Sequence, residues 1–213
     1  IDLITDEYIS SFNLNLLKKM EGDKPWEKLY HHPVLGIGYY QGSLGNNKVY
    51  GNSYSLYTFF EAPIWNLRNR LGFHYRMSTG LSYISKTFSP NHNIYNIAIG
   101  SHLNLHFDLF LNALVRITDG YSMVSGLSFT HFSNGKVKSP NKGLNVINGT
   151  LGIRYYFREP ASPVRDLTKP AINDKDHFSL IWSHGLKDHN RFKDAVYYIS
   201  SMNFNYERQY APV

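Results

Sequence analysis

"SHLNLHFDLFLNALVRI", residues 101–117, decides the class of this chain. From Leu103 its odd positions run Leu103, Leu105, Phe107, Leu109, Leu111, Ala113, Val115 and Ile117. The even positions include His102, Asn104, His106, Asp108, Asn112 and Arg116. A period of two sorts these residues into one apolar and one polar face, which a helix cannot do. At about 16 residues the strand is also far longer than the roughly five or six usual in globular sheets,. Strands that cross a bilayer need roughly 9–11 residues and often run beyond it.

The pattern recurs on both sides of this stretch. In 71–85, Leu71, Phe73, Tyr75, Met77, Leu81 and Tyr83 oppose Gly72, His74, Arg76, Ser78, Gly80 and Ser82. In 194–210, Val196, Tyr198, Met202, Phe204 and Tyr206 oppose Ser201, Asn203, Asn205 and Glu207. Strands are expected at 7–19, 34–43, 52–64, 71–86, 101–117, 121–134, 145–157, 177–187 and 194–210. Short turns ("NLRNR", "TDG") alternate with longer polar loops ("TFSPNHN", "GKVKSPNKG"), as in outer-membrane barrels,. Two connections depart from that rule: 20–33, where a short helical turn is expected, and the Pro-rich 158–176 on the short side.

Composition agrees. Aromatic residues make up 15% of the 213 and charged residues only 18%, a mix that suits pleated, half-buried surfaces,. No apolar run approaches the roughly 18 residues of a membrane helix, so the membrane option is a barrel. A mean hydropathy of −0.37 keeps a soluble sandwich or lipocalin-like binder as an alternative. The absence of cysteine excludes a disulfide framework and thiol chemistry,. The net charge of +6 fits a generic basic surface or an anionic partner, but no Lys/Arg run exceeds two and no nucleic-acid motif is present,. The first ten residues, "IDLITDEYIS", lack the pattern of a signal peptide, as a mature or trimmed chain would,. The expectation is an all-β, antiparallel transmembrane β-barrel forming a single domain over 1–213. Nine strands conflict with the even numbers usual in single-chain bacterial barrels. The interrupted end, "NFNYERQYAPV", favours a chain lacking terminal segments of its parent, with 8 or more strands and possibly 12 in the parent,.

Parity also locates a candidate site. In 121–134, "YSMVSGLSFTHFSN", His131 and Ser133 continue the apolar odd row of Tyr121, Met123, Leu127 and Phe129. Asn145 begins the greasy row Ile147, Leu151, Ile153, Tyr155 and Phe157 of the next strand. A hairpin through 135–144 pairs odd with odd, bringing Asn145 close to His131 and Ser133 on the outer wall. Polar groups there cost free energy unless bonded to one another or used. Ser needs a base and His needs a third group to fix its tautomer, so Ser133, His131 and Asn145 are candidate nucleophile, base and orienter. Asn134 and the Gly135 N–H, immediately after Ser133, are candidates for an oxyanion hole. The bland reading is that "SNG" opens a turn and His131 is merely interfacial.

"THFSNG", with "PNKG" soon after and "YNIAIGSHLN" at 95–104, resembles the outer-membrane lipid A 3-O-deacylase (PagL) family, especially its acyloxyacyl hydrolase relatives in Bacteroidetes. The likeness extends over roughly residues 34–157. It implies a hydrolase of the bacterial outer membrane acting on lipid A or lipopolysaccharide of the outer leaflet. It also implies that His131 and Ser133 are base and nucleophile, with Asn134 and the following amide at Gly135 as oxyanion hole. The family places a Glu about where Asn145 stands here. H-x-S-N-G with a downstream Asn is also similar to outer-membrane phospholipase A, whose triad is Ser-His-Asn and which works as a calcium-dependent dimer. Lys136 stands nearest that enzyme's calcium-site arginine and does not match it, so no metal or cofactor is expected, calcium entering only under the phospholipase alternative. Lys136, Lys138 and Lys142 sit where they can meet substrate phosphates, or they belong to a solvated loop. A structural or small-solute barrel is the remaining alternative.

Overall fold

A computed structural model describes residues 8–67, 70–157, 175–190 and 193–209. Among these the chain is nearly all β, with one short helix. The strands are β1 (Ser11–Lys19), β2 (Val34–Ser43), β3 (Asn52–Leu67), β4 (Leu71–Ile84), β5 (Leu103–Arg116), β6 (Tyr121–Ser133), β7 (Leu144–Tyr155), β8 (Lys175–Asn190) and β9 (Lys193–Gln209). The nine expected strands are present with ends shifted by a few residues. The helical turn expected in 20–33 is α1 (Pro25–Leu29), opened by a proline whose missing N–H costs nothing there,. Nearly all of the Pro-rich 158–176 segment lies outside the described residues.

Strands β1 to β7 pair antiparallel in chain order as one seven-stranded sheet, and β8 and β9 form a second, two-stranded sheet. Alternation holds along the walls of the larger sheet. Leu105 and Leu111 are each 53% exposed, whereas their neighbours Asn104, His106 and Asn112 are at most 3% exposed. β3 runs past its expected end at 64 to Leu67 because a bulge between Pro63 and Trp65 absorbs the proline, which cannot donate to a ladder,.

The larger sheet is strongly curled into a half-barrel. Four strand spacings would separate β3 from β7 by roughly 19 Å in a flat sheet. Instead Arg154 of β7 reaches Glu61 of β3 at 2.7 Å, and Phe132 of β6 packs on Tyr40 of β2 with ring centroids 6.0 Å apart. The inner face therefore meets itself. Its loop-side end is apolar, with Tyr40, Leu44, Ile84, Ile99, Phe132 and Val146 buried together. Its middle is ionic: Glu61 takes Arg76 Nε and Nη2 at 3.0 and 2.9 Å and Arg154 Nη2 at 2.7 Å. Arg76 also lies over the Phe59 ring, 4.5 Å from its centroid. No helix among the described residues is long and apolar enough to cross a membrane, which bears on helices alone.

Candidate active site on the outer wall

Where β6 ends, parity turns Phe132 into the barrel core, with no exposed surface, and leaves His131 and Ser133 on the other face. Phe132 is held by Tyr40 and by an edge-on contact with His106 at 5.3 Å, so an aromatic cluster backs the strand end,. Across the ladder His131 pairs directly with Asn145 of β7 and with Phe107 of β5, while Ser133 pairs with Leu105. Leu105, Phe107, Phe129 and Ile147 surround the group with exposed apolar surface. The polar residues form an island in a greasy wall.

His131 Nδ1 lies 2.6 Å from Asn145 Oδ1. An amide oxygen only accepts, so Nδ1 carries the proton and donates it to Asn145. In the neutral ring Nε2 is then the basic nitrogen, the tautomer a general base requires. Among the described residues the Ser133 hydroxyl has no hydrogen-bond partner, so the His131–Ser133 bond is not made in this arrangement. Such bonds are often loose before substrate arrives.

The chain leaves Ser133 through a tight turn. Gly135 and Lys136 both have φ of 63°, and Val137 N–H donates to Asn134 O at 3.2 Å, the signature of a type I′ turn,. Glycine takes the first left-handed position without a steric penalty. Among the described residues the Gly135 N–H has no acceptor, leaving it available close to Ser133.

Asn134, the other oxyanion-hole candidate, has its side chain engaged within the loop. Its Nδ2 donates to Ser101 Oγ at 2.8 Å and to Lys138 O at 2.9 Å, which engages both amide hydrogens,. Its backbone N–H donates to Asn141 Oδ1 at 3.2 Å. The side chain is buried and pins the loop. Its geometry supports the Gly135 N–H as the open donor.

Two residues of the site are not legible as sequence parity. Gly143, with φ of 74°, stands against the His131 ring: a Cβ there would lie 2.8 Å from His131 Cε1. Any side chain would push on the imidazole. Asn141 bonds to the backbone of Asn134. Both lie in the "PNKG" run, which was the available signal. Lys136, Lys138 and Lys142 are exposed on the same loop. No three His, Cys, Asp or Glu side chains converge as metal ligands among the described residues.

A protein-family model described as lipid A 3-O-deacylase (PagL) matches residues 10–154. That span takes in the seven-stranded sheet and the hairpin bearing His131, Ser133 and Asn145, and stops before β8. No curated protein and no solved structure matches the chain. With more than half of its length matched by this one model, the chain belongs to the lipid A 3-O-deacylase (PagL) family.

Proposed function

We propose that this protein is an outer-membrane serine esterase that removes an ester-linked acyl chain from lipid A, using Ser133, His131 and Asn145 on its lipid-facing wall. The observation that carries the reading is the 2.6 Å His131–Asn145 bond set in an exposed apolar wall. A soluble substrate has no reason to be met there, whereas an acyl ester in the outer leaflet lies alongside.

Ser133 Oγ attacks the ester carbonyl carbon while His131 Nε2 takes its proton. The Gly135 N–H faces the oxygen that becomes negative, and Asn134 contributes by holding the turn that presents it. His131 then returns the proton to the sugar oxygen as the C–O bond breaks, leaving the acyl chain on Ser133. Water, deprotonated by the same Nε2, releases the fatty acid and restores the serine. Asn145 keeps Nδ1 protonated throughout but supplies no charge to the imidazolium. Lys136, Lys138 and Lys142 meet the phosphates of lipid A at the membrane surface, where each is worth about 1 kcal/mol.

The test is mass spectrometry of lipid A and phospholipids from cells expressing wild type or Ser133→Ala. Loss of one hydroxyacyl chain from lipid A with wild type alone supports the reading. The amide at position 145 favours a second reading, a phospholipase A, for which lysophospholipid would accumulate instead. Identical lipid profiles would sink both.

A further inference from the structure

The run "IAIGS", residues 97–101, takes no part in the chemistry above, yet it grips the catalytic loop at both ends. Beside the nucleophile, Ser101 Oγ accepts from Asn134 Nδ2 at 2.8 Å while donating to Leu103 O at 3.0 Å. Beside the base, Gly143 N–H donates to Ala98 O at 3.1 Å and Lys142 N–H to Ile97 O at 3.4 Å. Between these points Gly100 lies under the loop: a Cβ there would stand 2.6 Å from both Lys138 O and Pro140 O. Gly143 is the residue against the His131 ring, and Asn134 fixes the turn that presents the Gly135 N–H. Both catalytic flanks are thus referenced to one five-residue segment of a different loop.

That segment is itself anchored. Asn96 is fully buried. Its Nδ2 donates to Val49 O and Lys86 O, each at 3.0 Å, and its Oδ1 accepts from Ile99 N–H at 3.0 Å. Asn93 Nδ2 adds a bond to Val49 O at 2.8 Å. Ile99 plugs into the buried apolar cluster beside Phe132 and Val146, the inward neighbours of the site residues. The grip is therefore rigid on its far side.

We propose that residues 97–101 are a positioning element for this active site, with Ser101 and Gly100 as positioning residues that set the distance between His131 and Ser133 and the placement of the Gly135 N–H. The proposal rests on the esterase reading above. Ser101 acts through Asn134, and Gly100 acts by leaving room for the loop to close down. The φ of Gly100 lies outside the left-handed region, so alanine there adopts its own φ without strain and pushes instead on the loop backbone at Lys138 O and Pro140 O.

The experiment measures kcat and KM of the purified barrel in detergent on p-nitrophenyl butyrate and on lipid A. A displacement of about 1 Å costs roughly a hundredfold in rate, so Gly100→Ala should lower kcat by about that factor and Ser101→Ala by about tenfold, KM staying within about twofold. Ser101→Thr, which keeps the hydroxyl, should recover most of the loss. Because Ser101 acts through Asn134, the Ser101→Ala/Asn134→Ala double variant should be no slower than Asn134→Ala alone. Hydrogen exchange supplies the structural arm: in Gly100→Ala the Lys142 and Gly143 amides should lose protection while those of β5 and β6 keep it. An active wild type with unchanged kcat in both single variants, or multiplicative losses in the double variant, overturns the positioning element alone. A wild type that hydrolyses neither substrate overturns the esterase reading and the positioning role with it.

Discussion

Two polar clusters, one on the inner face and one in the apolar outer wall, are built on opposite terms. The inner one joins Glu61, Arg76 and Arg154 from three strands, all nearly inaccessible, with His74 Nδ1 3.5 Å from Glu61 and the Phe59 ring under Arg76. The outer one joins His131 and Asn145 from two strands, exposed or partly so, with no formal charge when the ring is neutral. A charge in the interior is stabilised by partners it cannot leave, and it holds the curl of the sheet. Under the proposed function the outer pair faces hydrocarbon, which offers no such partners, and neutrality is what lets a polar group stay there. The inner cluster fastens three strands, whereas the outer pair joins two and is open to its surroundings.

The sharpest way to break this contrast is Ser133→Ala. It should reduce deacylation by at least about a thousandfold, read as lipid A product by mass spectrometry, with no change in the unfolding midpoint in urea. Glu61→Gln should do the reverse. It leaves two buried guanidinium groups without their carboxylate and should cost about 3–5 kcal/mol of stability by urea unfolding, while the fraction still folded keeps its kcat. If Glu61→Gln abolished activity in folded barrels, the inner cluster would not be merely structural.

Asn145→Asp probes the neutrality of the outer pair. A carboxylate stabilises the imidazolium, so kcat should rise by about tenfold or more, provided the charge is tolerated in the wall. A kcat that stays at the wild-type value in folded Asn145→Asp barrels would argue against Asn145 as the partner felt by the ring. The smallest effect belongs to the loop lysines. Replacing Lys136, Lys138 and Lys142 with Gln should raise KM several-fold for bisphosphorylated lipid A, at about 1 kcal/mol or less per lysine, and leave p-nitrophenyl butyrate unaffected.

Much of this arrangement follows from a period of two. The odd row of 103–117 lies outside, Phe132 turns in, and His131 stands directly opposite Asn145, all consequences of strand geometry that a linear sequence carries. What parity could not reach is long-range or aperiodic. Glu61 sits in "TFFEAPIW" as an isolated acid, and its partners lie on β4 and β7, brought near by the curl of the sheet. The side chain of Asn134 turns inward as its even position implies, but its acceptor there, Ser101, lies 33 positions earlier in the chain. Gly143 matters through the ring it lies against, a contact that no local pattern encodes. The fold was legible because alternation repeats. The finer site was not, because each of its contacts occurs once.

Asn145 has a further consequence through its strand. Among the described residues β7 is the last strand of the larger sheet, bonded to β6 on one side only. In hydrocarbon, where the proposed function puts this wall, an unmated row of amides and carbonyls is costly and calls for other backbone along β7. Asn145, which accepts from His131 Nδ1, rides on that edge. If the esterase reading holds, whatever pairs with β7 should also steady the imidazole, and the turnover rate would then report on the edge.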